Sequence, residues 1–181
     1  KKDIATANDY LGRFAKLMRM ILNLAAKPRI FIADEIELLE LYINTEAMRF
    51  EEKFTYEVSV DDEIDPEEIL VPTMILQPFV ENAIWHGLAG KGEAGRIQIR
   101  FEKLGNQLVC SVEDNGKGRP AEGTKKPGGH ESKALGITAR RLSLLEEETG
   151  VKSFYEIIDL KGTNGEPAGT RVEVHIPLMD E

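Results

Sequence analysis

Asn82 and His86 stand four residues apart in Pro78-Phe79-Val80-Glu81-Asn82-Ala83-Ile84-Trp85-His86-Gly87, and further along the chain Asp114 opens the run Asp114-Asn115-Gly116-Lys117-Gly118. On a helix, an amide oxygen and an imidazole at i and i+4 face the same way and can serve one ligand. A neutral amide oxygen suits Mg²⁺, which takes oxygen donors and keeps its other positions for water and phosphate. Asp114 follows the apolar, strand-like run Val109-Cys110-Ser111-Val112 and precedes two glycines spaced by one residue, so the chain leaves the sheet in a tight turn with little bulk around the carboxylate. That carboxylate can accept a hydrogen bond from an exocyclic amine. Each motif alone has a bland reading: a helix whose Asn and His are merely solvated, and a common Asp-Gly turn after a strand. Their succession, with a strand hairpin between them, is far less common.

The elements that must position these residues can be read from apolar periodicity. Leu76, Phe79, Val80, Ala83, Ile84 and Leu88 recur at three-and-four spacing, which predicts one amphipathic helix with Pro78, Asn82 and His86 one turn apart on its polar face. Gly87 to Gly95 reads as a loop. Arg96 to Glu102 and Leu108 to Val112 alternate, predicting a hairpin across Gly105-Asn106 that ends at Asp114. Upstream, Ile4 to Ala26 is a helical pattern with Leu11, Phe14, Leu17, Met18, Ile21 and Ala25 down one face, closed by Lys27-Pro28. Leu22 and Leu24 widen that stripe, which leaves two readings: pairing with another helix or subunit, or packing on its own domain. Arg29 to Ile32 is a short extended piece. Asp34 is placed to cap a helix to about Phe50, with Ile36, Leu39, Ile43, Ala47 and Phe50 inward. Phe54 to Val60 alternates as a strand and ends in the acidic turn Asp61 to Asp65; Pro72 is placed where a helix begins. Arg119 to Lys133 is rich in Gly, Lys and Pro, like a linker. Ala134 to Glu148 is a helix with a Leu135, Leu142, Leu145 seam, and Phe154 to Leu160 with Arg171 to Ile176 forms a second hairpin across Lys161 to Gly169. Helices with a predominance of hairpins indicate an α+β class: a two-layer α/β sandwich, its mixed sheet covered by helices, preceded by a helical segment.

At 181 residues the chain can hold one good core and a helical appendage. Its formal charge of −9 repels nucleic acid and anionic lipid, so neither DNA nor RNA is expected as a partner. The single cysteine, Cys110, lies in a strand-like run, reads as core, and excludes an internal disulfide; a reducing compartment is the natural setting. No window has the apolar length of a membrane span. The start Lys1-Lys2-Asp3 lacks an initiator Met and a signal-peptide pattern, as expected of a piece of a longer protein.

Glu81-Asn82-Ala83 with His86-Gly87 resembles the N box, and Asp114-Asn115-Gly116-Lys117-Gly118 the first glycine box, of the GHKL (Bergerat) ATP-binding fold shared by gyrase, MutL and sensor histidine kinases. Ile75-Leu76-Gln77-Pro78-Phe79-Val80-Glu81-Asn82-Ala83 is similar to the LytS-like ("histidine kinase internal region") class. The likeness extends upstream through Asp34-Glu35-Ile36-Glu37 and Tyr42 to Phe50, and downstream to Gly169-Thr170.

The resemblance implies a division at residue 28, with 1–28 the last helix of a dimerisation and phosphotransfer region and 29–181 the ATP-binding catalytic domain. It implies that Asn82 carries Mg²⁺ to the nucleotide phosphates, with Glu81 and His86 beside it as further catalytic candidates. It implies that Asp114 reads adenine while Gly116, Lys117 and Gly118 admit the base and ribose, and that Gly169 and Thr170 close the site. The lid Arg119 to Lys133 would fold over the triphosphate. At its end Ser132-Lys133-Ala134-Leu135-Gly136-Ile137-Thr138 stands in place of the second glycine box, with Lys133, Gly136 and Thr138 as phosphate contacts. Lys133, Arg140 and Arg141 are candidate phosphate cations, or simply solvated helix residues.

Ala134 replaces a frequent glycine, and Trp85 a frequent lysine, packing either lid or core. Pro78 stands where hydrolytic relatives carry a glutamate base, so water attack is disfavoured and transfer to a protein acceptor preferred. That acceptor is not evident here. His130 lies among Pro127, Gly128 and Gly129, His175 reads as a surface residue of the sheet, and the family's His-Phe-Leu-Phe-Asn motif would fall upstream of Lys1.

The expected function is therefore the cytoplasmic catalytic part of a sensor histidine kinase. Its parent would be an inner-membrane homodimer that binds ATP-Mg²⁺ and relays phosphoryl groups to a response regulator receiver domain. The alternative is a degenerate nucleotide module serving as a dimerisation and regulator-docking scaffold, to which Ala134 and Trp85 lend support.

Overall fold

The structure, a computed structural model, describes residues 2–49, 54–88, 95–119 and 133–179. The expected helix end at Phe50, most of the Gly87 to Gly95 loop, and the lid with His130 lie outside the described residues.

Strand alternation builds the central layer. β1 (Arg29–Phe31) pairs antiparallel with β3 (Leu70–Pro72) as a separate two-stranded ribbon. The main sheet is mixed and five-stranded: β2 (Phe54–Val60), β4 (Gly95–Leu104), β5 (Gln107–Asp114), β7 (Pro167–Pro177) and β6 (Phe154–Lys161), in that spatial order. β2 runs parallel to β4; the other neighbours are antiparallel. The two-residue turn between β4 and β5 has φ +62° at Gly105, a backbone that glycine takes without steric penalty.

The inward face is a lattice of apolar rows. Ile97, Ile99 and Phe101 of β4 face Asp114, Val112 and Cys110 of β5, which in turn face Thr170, Val172 and Val174 of β7. Ile97, Ile99, Phe101, Cys110 and Val174 are fully buried. Each such aliphatic or aromatic side chain contributes on the order of 1.5–3 kcal/mol. Because alternate residues share a face, Asp114 is the polar end of an otherwise apolar inward row. The opposite face carries the polar row Arg100, Ser111, Glu113, Arg171, Glu173 and Glu156.

Helices α2 (Ile32–Arg49), α3 (Gln77–Asn82) and α4 (Lys133–Thr149) bring Leu38, Leu39, Ile43, Phe79, Val80, Leu142 and Leu145 into the same core. This is the α+β sandwich, a mixed sheet covered by helices, that the sequence predicts. α1 (Lys2–Ala25) joins that core through Leu17 and Leu24 while leaving Ile4, Leu11, Phe14, Met18 and Leu22 exposed. Both readings of its stripe thus hold part of the truth: one face packs on its own domain and another remains apolar and uncovered.

Four local expectations need correction. Pro72 ends β3 rather than opening a helix; Pro78 is the proline that opens one, in the first turn of α3 where a missing N–H costs nothing. Asp34 lies inside the first turn of α2, which starts at Ile32, rather than capping it. The single helix expected through Leu88 is α3 followed by a π-helical turn, Ala83–Leu88. His175 is not a surface residue: only 13% of its side chain is exposed, and its ring stacks on Phe154.

Candidate functional site

The π turn, the end of β5 and the turn after it meet at one point. The carbonyl of Gly87 accepts the Lys117 amide at 3.1 Å, joining the N-box segment to the glycine turn. The Asp114 carboxylate folds back on its own turn, its Oδ1 accepting the Gly116 amide at 2.8 Å. Asn115 fixes the turn to β4, its Oδ1 accepting the Arg96 amide at 2.7 Å. Glycine is required where these backbones touch. A Cβ on Gly116 would lie 2.3 Å from the Gly87 oxygen, one on Gly87 2.6 Å from Asp114 Oδ1, and one on Gly169, whose φ is +134°, 1.9 Å from the Asp114 carbonyl oxygen. A wider helical turn ending in Gly87 lets the backbone press against the carboxylate, and π turns are often found at functional sites.

Beside this junction is a cavity of about 450 Å³, within the usual range for small-molecule sites. Asn82, His86, Gly87, Asp114, Lys117, Gly118, Arg119 and Thr170 line it, with Phe79, Ala83, Val112, Leu135, Ile157 and Val172 as apolar walls. Asn82 and Asp114, far apart in sequence, therefore face one space. Asp114 is 5% exposed, an acid set among apolar surfaces.

Among the sequence-predicted residues, Gly116 does not line the cavity but supports Asp114 and Gly87 from behind. Glu81 is off the cavity wall and accepts a hydrogen bond from Gln77 at 2.9 Å. Gly136 is exposed on the first turns of α4 with open space around it, and Thr138 is buried with its hydroxyl on the Ala134 carbonyl; neither lines the cavity. The Lys133 side chain lies outside the description. Arg141 is turned away from the cavity, donating to the Thr73 carbonyl at 2.6 Å, and it borders a separate hollow of about 540 Å³ that holds no other predicted site residue. Trp85 is not a core residue: it is 40% exposed, lies under the Arg49 guanidinium at 4.8 Å, and hydrogen-bonds the Tyr42 hydroxyl, whose pKa burial pushes up to about 12; the lid it was also expected to pack against lies outside the described residues.

Two contributors escaped sequence reasoning. Arg119 lines the cavity mouth and forms a bidentate pair with Asp159, at 2.6 and 2.8 Å, which holds that carboxyl below its ordinary range. It ties the start of the lid segment to β6. Glu35, fully buried, accepts the amides of Met74 at 2.9 Å and Leu76 at 3.0 Å. Burial pushes its pKa up to about 7, against the opposing pull of those amides and of Arg141. These bonds hold the segment entering α3, where Met74 has the unfavourable φ of 56°. Nothing local marks Glu35 as different from the surface acids around it.

Residues 67–180 match the model of the histidine kinase-, DNA gyrase B- and HSP90-like ATPase family, and residues 1–54 that of histidine kinases. The chain belongs to this ATPase family. Its ATP-binding fold is of the LytS-like sensor kinase kind. It is 31% identical to the sensor protein LytS of Oceanobacillus iheyensis over 157 residues, covering 81% of this chain and 26% of the relative. It is 29% identical to the sensor histidine kinase YesM of Bacillus subtilis over 157 residues, covering 86% of this chain and 25% of the relative. The chain thus spans about a quarter of the length of these curated relatives. The fold is shared with the histidine kinase domain of a blue-light activated histidine kinase from Erythrobacter litoralis, at TM-score 0.60 and 20% identity, covering 93% of this chain and 75% of that one. No helix among the described residues is long and apolar enough to cross a membrane.

Proposed function

We propose that this chain is the catalytic part of a two-component sensor histidine kinase that binds ATP with Mg²⁺ and hands the γ-phosphoryl group to a protein histidine. A response regulator receiver domain would be the next acceptor. The observation that carries this reading is the convergence of Asn82 and Asp114 on one cavity with apolar walls. Asp114 would accept a hydrogen bond from the adenine amino group, and Val112, Leu135, Ile157 and Val172 would enclose the base. Lys117, at the mouth, supplies positive charge toward phosphates, and Arg119 beside it would do so on exchanging Asp159 for phosphate. The donor set fits a magnesium ion that arrives with its nucleotide: Asn82 offers one neutral oxygen, and phosphates and water would complete the octahedron. When bound, the ion neutralises phosphate charge; the chain itself contributes positioning and exclusion of water.

We assign residues 1–28 to the dimerisation and phosphotransfer region and 29–181 to the ATP-binding domain. The exposed stripe Leu11, Phe14, Met18 and Leu22 supports pairing of α1 with a second copy, at the spacing of a helix–helix seam. A cytoplasmic position of this part, in a membrane-anchored parent, goes with that reading. The scaffold alternative loses its two supports, because neither Trp85 nor Ala134 borders the cavity.

Binding of a fluorescent ATP analogue, with and without Mg²⁺, to wild type and Asn82→Ala tests the proposal. Saturable wild-type binding that strengthens with Mg²⁺, with the Mg²⁺ increment lost in Asn82→Ala, is the expected outcome. No wild-type binding would end it.

A further inference from the structure

His175, Glu173 and Glu156 lie on the outer face of the β6–β7 hairpin, away from the nucleotide cavity. Glu156 is directly across from Glu173, and His175 across from Phe154. One ligand atom from each of the three lies within 4.8 Å of the others. Nε2 of His175 is buried and has no hydrogen-bond partner. It points between Glu156 Oε1 at 3.6 Å and Glu173 Oε2 at 3.7 Å, both too far for a hydrogen bond. Its ring is held flat on Phe154, centroids 4.5 Å apart and planes 6° from parallel, with Lys152 Nζ 4.9 Å from the Phe154 centroid. The other oxygen of Glu173 faces Arg171 at 3.5 Å.

We propose that His175, Glu173 and Glu156 bind a divalent transition-metal cation of the Zn²⁺ kind. An imidazole nitrogen with two carboxylates is a donor set for zinc, whereas Mg²⁺ and Ca²⁺ take oxygen alone. Bonds of about 2.0–2.2 Å at tetrahedral angles put neighbouring donors about 3.3 Å apart. The two nitrogen–oxygen distances exceed that by only a few tenths of an ångström and all three donor atoms lie within 4.8 Å of one another, so small rotations of both carboxylate side chains close the set. A dication would balance the two carboxylates, take up the orphaned nitrogen and leave one position for water. Bound there, it staples β6 to β7 at the edge of the sheet, behind Ile157, Thr170 and Val172 of the cavity wall.

The test is calorimetric titration of Zn²⁺ into the chelator-treated chain, paired with thermal unfolding at rising Zn²⁺, for wild type, Glu156→Gln, His175→Gln and His86→Ala. Expected is one Zn²⁺ per chain and a rise in Tm for wild type and His86→Ala. Affinity should fall more than about a hundredfold in Glu156→Gln and His175→Gln, beyond the roughly 10–100-fold loss typical for removing an outer partner, with no response to Mg²⁺. Glu156 is half exposed, so its variant decides the matter even if loss of the His175 stack disturbs folding. Absence of wild-type binding, or wild-type affinity retained in Glu156→Gln, would overturn the assignment; binding lost only in His86→Ala would place the ion in the nucleotide cavity instead.

Discussion

Gly116→Ala is the sharpest perturbation of the candidate site, because the added methyl group meets atoms that cannot move independently. The new Cβ would sit 2.3 Å from the Gly87 oxygen, 2.4 Å from the Gly87 carbonyl carbon and 2.6 Å from Asp114 Oδ1. Ordinary contact begins near 3.4 Å, so relief takes a shift of about 1 Å between the π turn and the glycine turn. Yet the Gly87 oxygen is held by the Lys117 amide and Asp114 Oδ1 by the Gly116 amide. Overpacking of this kind costs about 1–3 kcal/mol of stability. Moving the recognition carboxylate by about 1 Å forfeits its charge-assisted hydrogen bond, about 1.5–3 kcal/mol or roughly a ten- to hundredfold loss of affinity. Urea denaturation would read the first effect and ATP-analogue titration the second. Gly136→Ala is the matched control: its Cβ meets nothing within 4 Å, and alanine in place of a helical glycine should stabilise by about 0.5–1 kcal/mol. Wild-type affinity and stability in Gly116→Ala would refute the proposed seam between Gly87 and the glycine turn.

Asp114→Asn keeps the shape but puts an amide donor where an amine must be received, so ATP affinity should fall about 10–100-fold, from the 1.5–3 kcal/mol of a charge-assisted hydrogen bond; calorimetry checks it, and undiminished affinity would remove Asp114 from the adenine role. Glu35 gives a pH signature. Its carboxyl stays protonated to about pH 7 in the folded chain but only to about 4.5 when unfolded, so its contribution is fully present below pH 4.5 and disappears as pH rises through 7. The span is at most about 3 kcal/mol. Glu35→Gln, which has no proton to lose, should flatten the fall in denaturation free energy between pH 5 and 8, and parallel wild-type and variant curves would contradict the shift. The double substitution Leu11→Glu with Leu22→Glu, at residues 61% and 68% exposed, should turn a dimer into a monomer in sedimentation experiments and abolish the rise of Tm with protein concentration. A monomeric wild type would remove the role given to α1.

Strand alternation carried most of the legible information. Apolar residues at 97, 99 and 101 and at 108, 110 and 112 were enough to put Asp114 on the helix-covered face. The end of the N-box segment was less legible because Ala83, Ile84 and Leu88 are buried equally well by an α-helix and by a π turn. What separates the two is the tertiary bond from Gly87 to Lys117. The short extended piece expected at Arg29 to Ile32 is β1, whereas β3 spans three residues, too few for any period to register, and its proline invited the wrong element. Alternation did put His175 on the outer face beside Glu173, but Glu156 and the stacked Phe154 come from β6, and the ring that buries it leaves no mark in the local pattern.

Thr73 and its neighbours explain how the helical segment and the nucleotide cavity are connected. The Thr73 hydroxyl donates to the Lys27 carbonyl at 2.6 Å and its amide to the Pro28 carbonyl at 3.2 Å, so it holds the chain just past α1. Its own carbonyl takes the Arg141 guanidinium from α4. The next residues give their amides to Glu35 of α2 and lead directly into α3, which ends at Asn82. Four helices are thereby fixed to a segment of four residues, 73–76, one of which is held at positive φ. Interfaces of this kind shift between discrete arrangements rather than deforming smoothly. These hydrogen bonds, with the packing of Leu17 and Leu24, connect α1 to the segment that leads to Asn82.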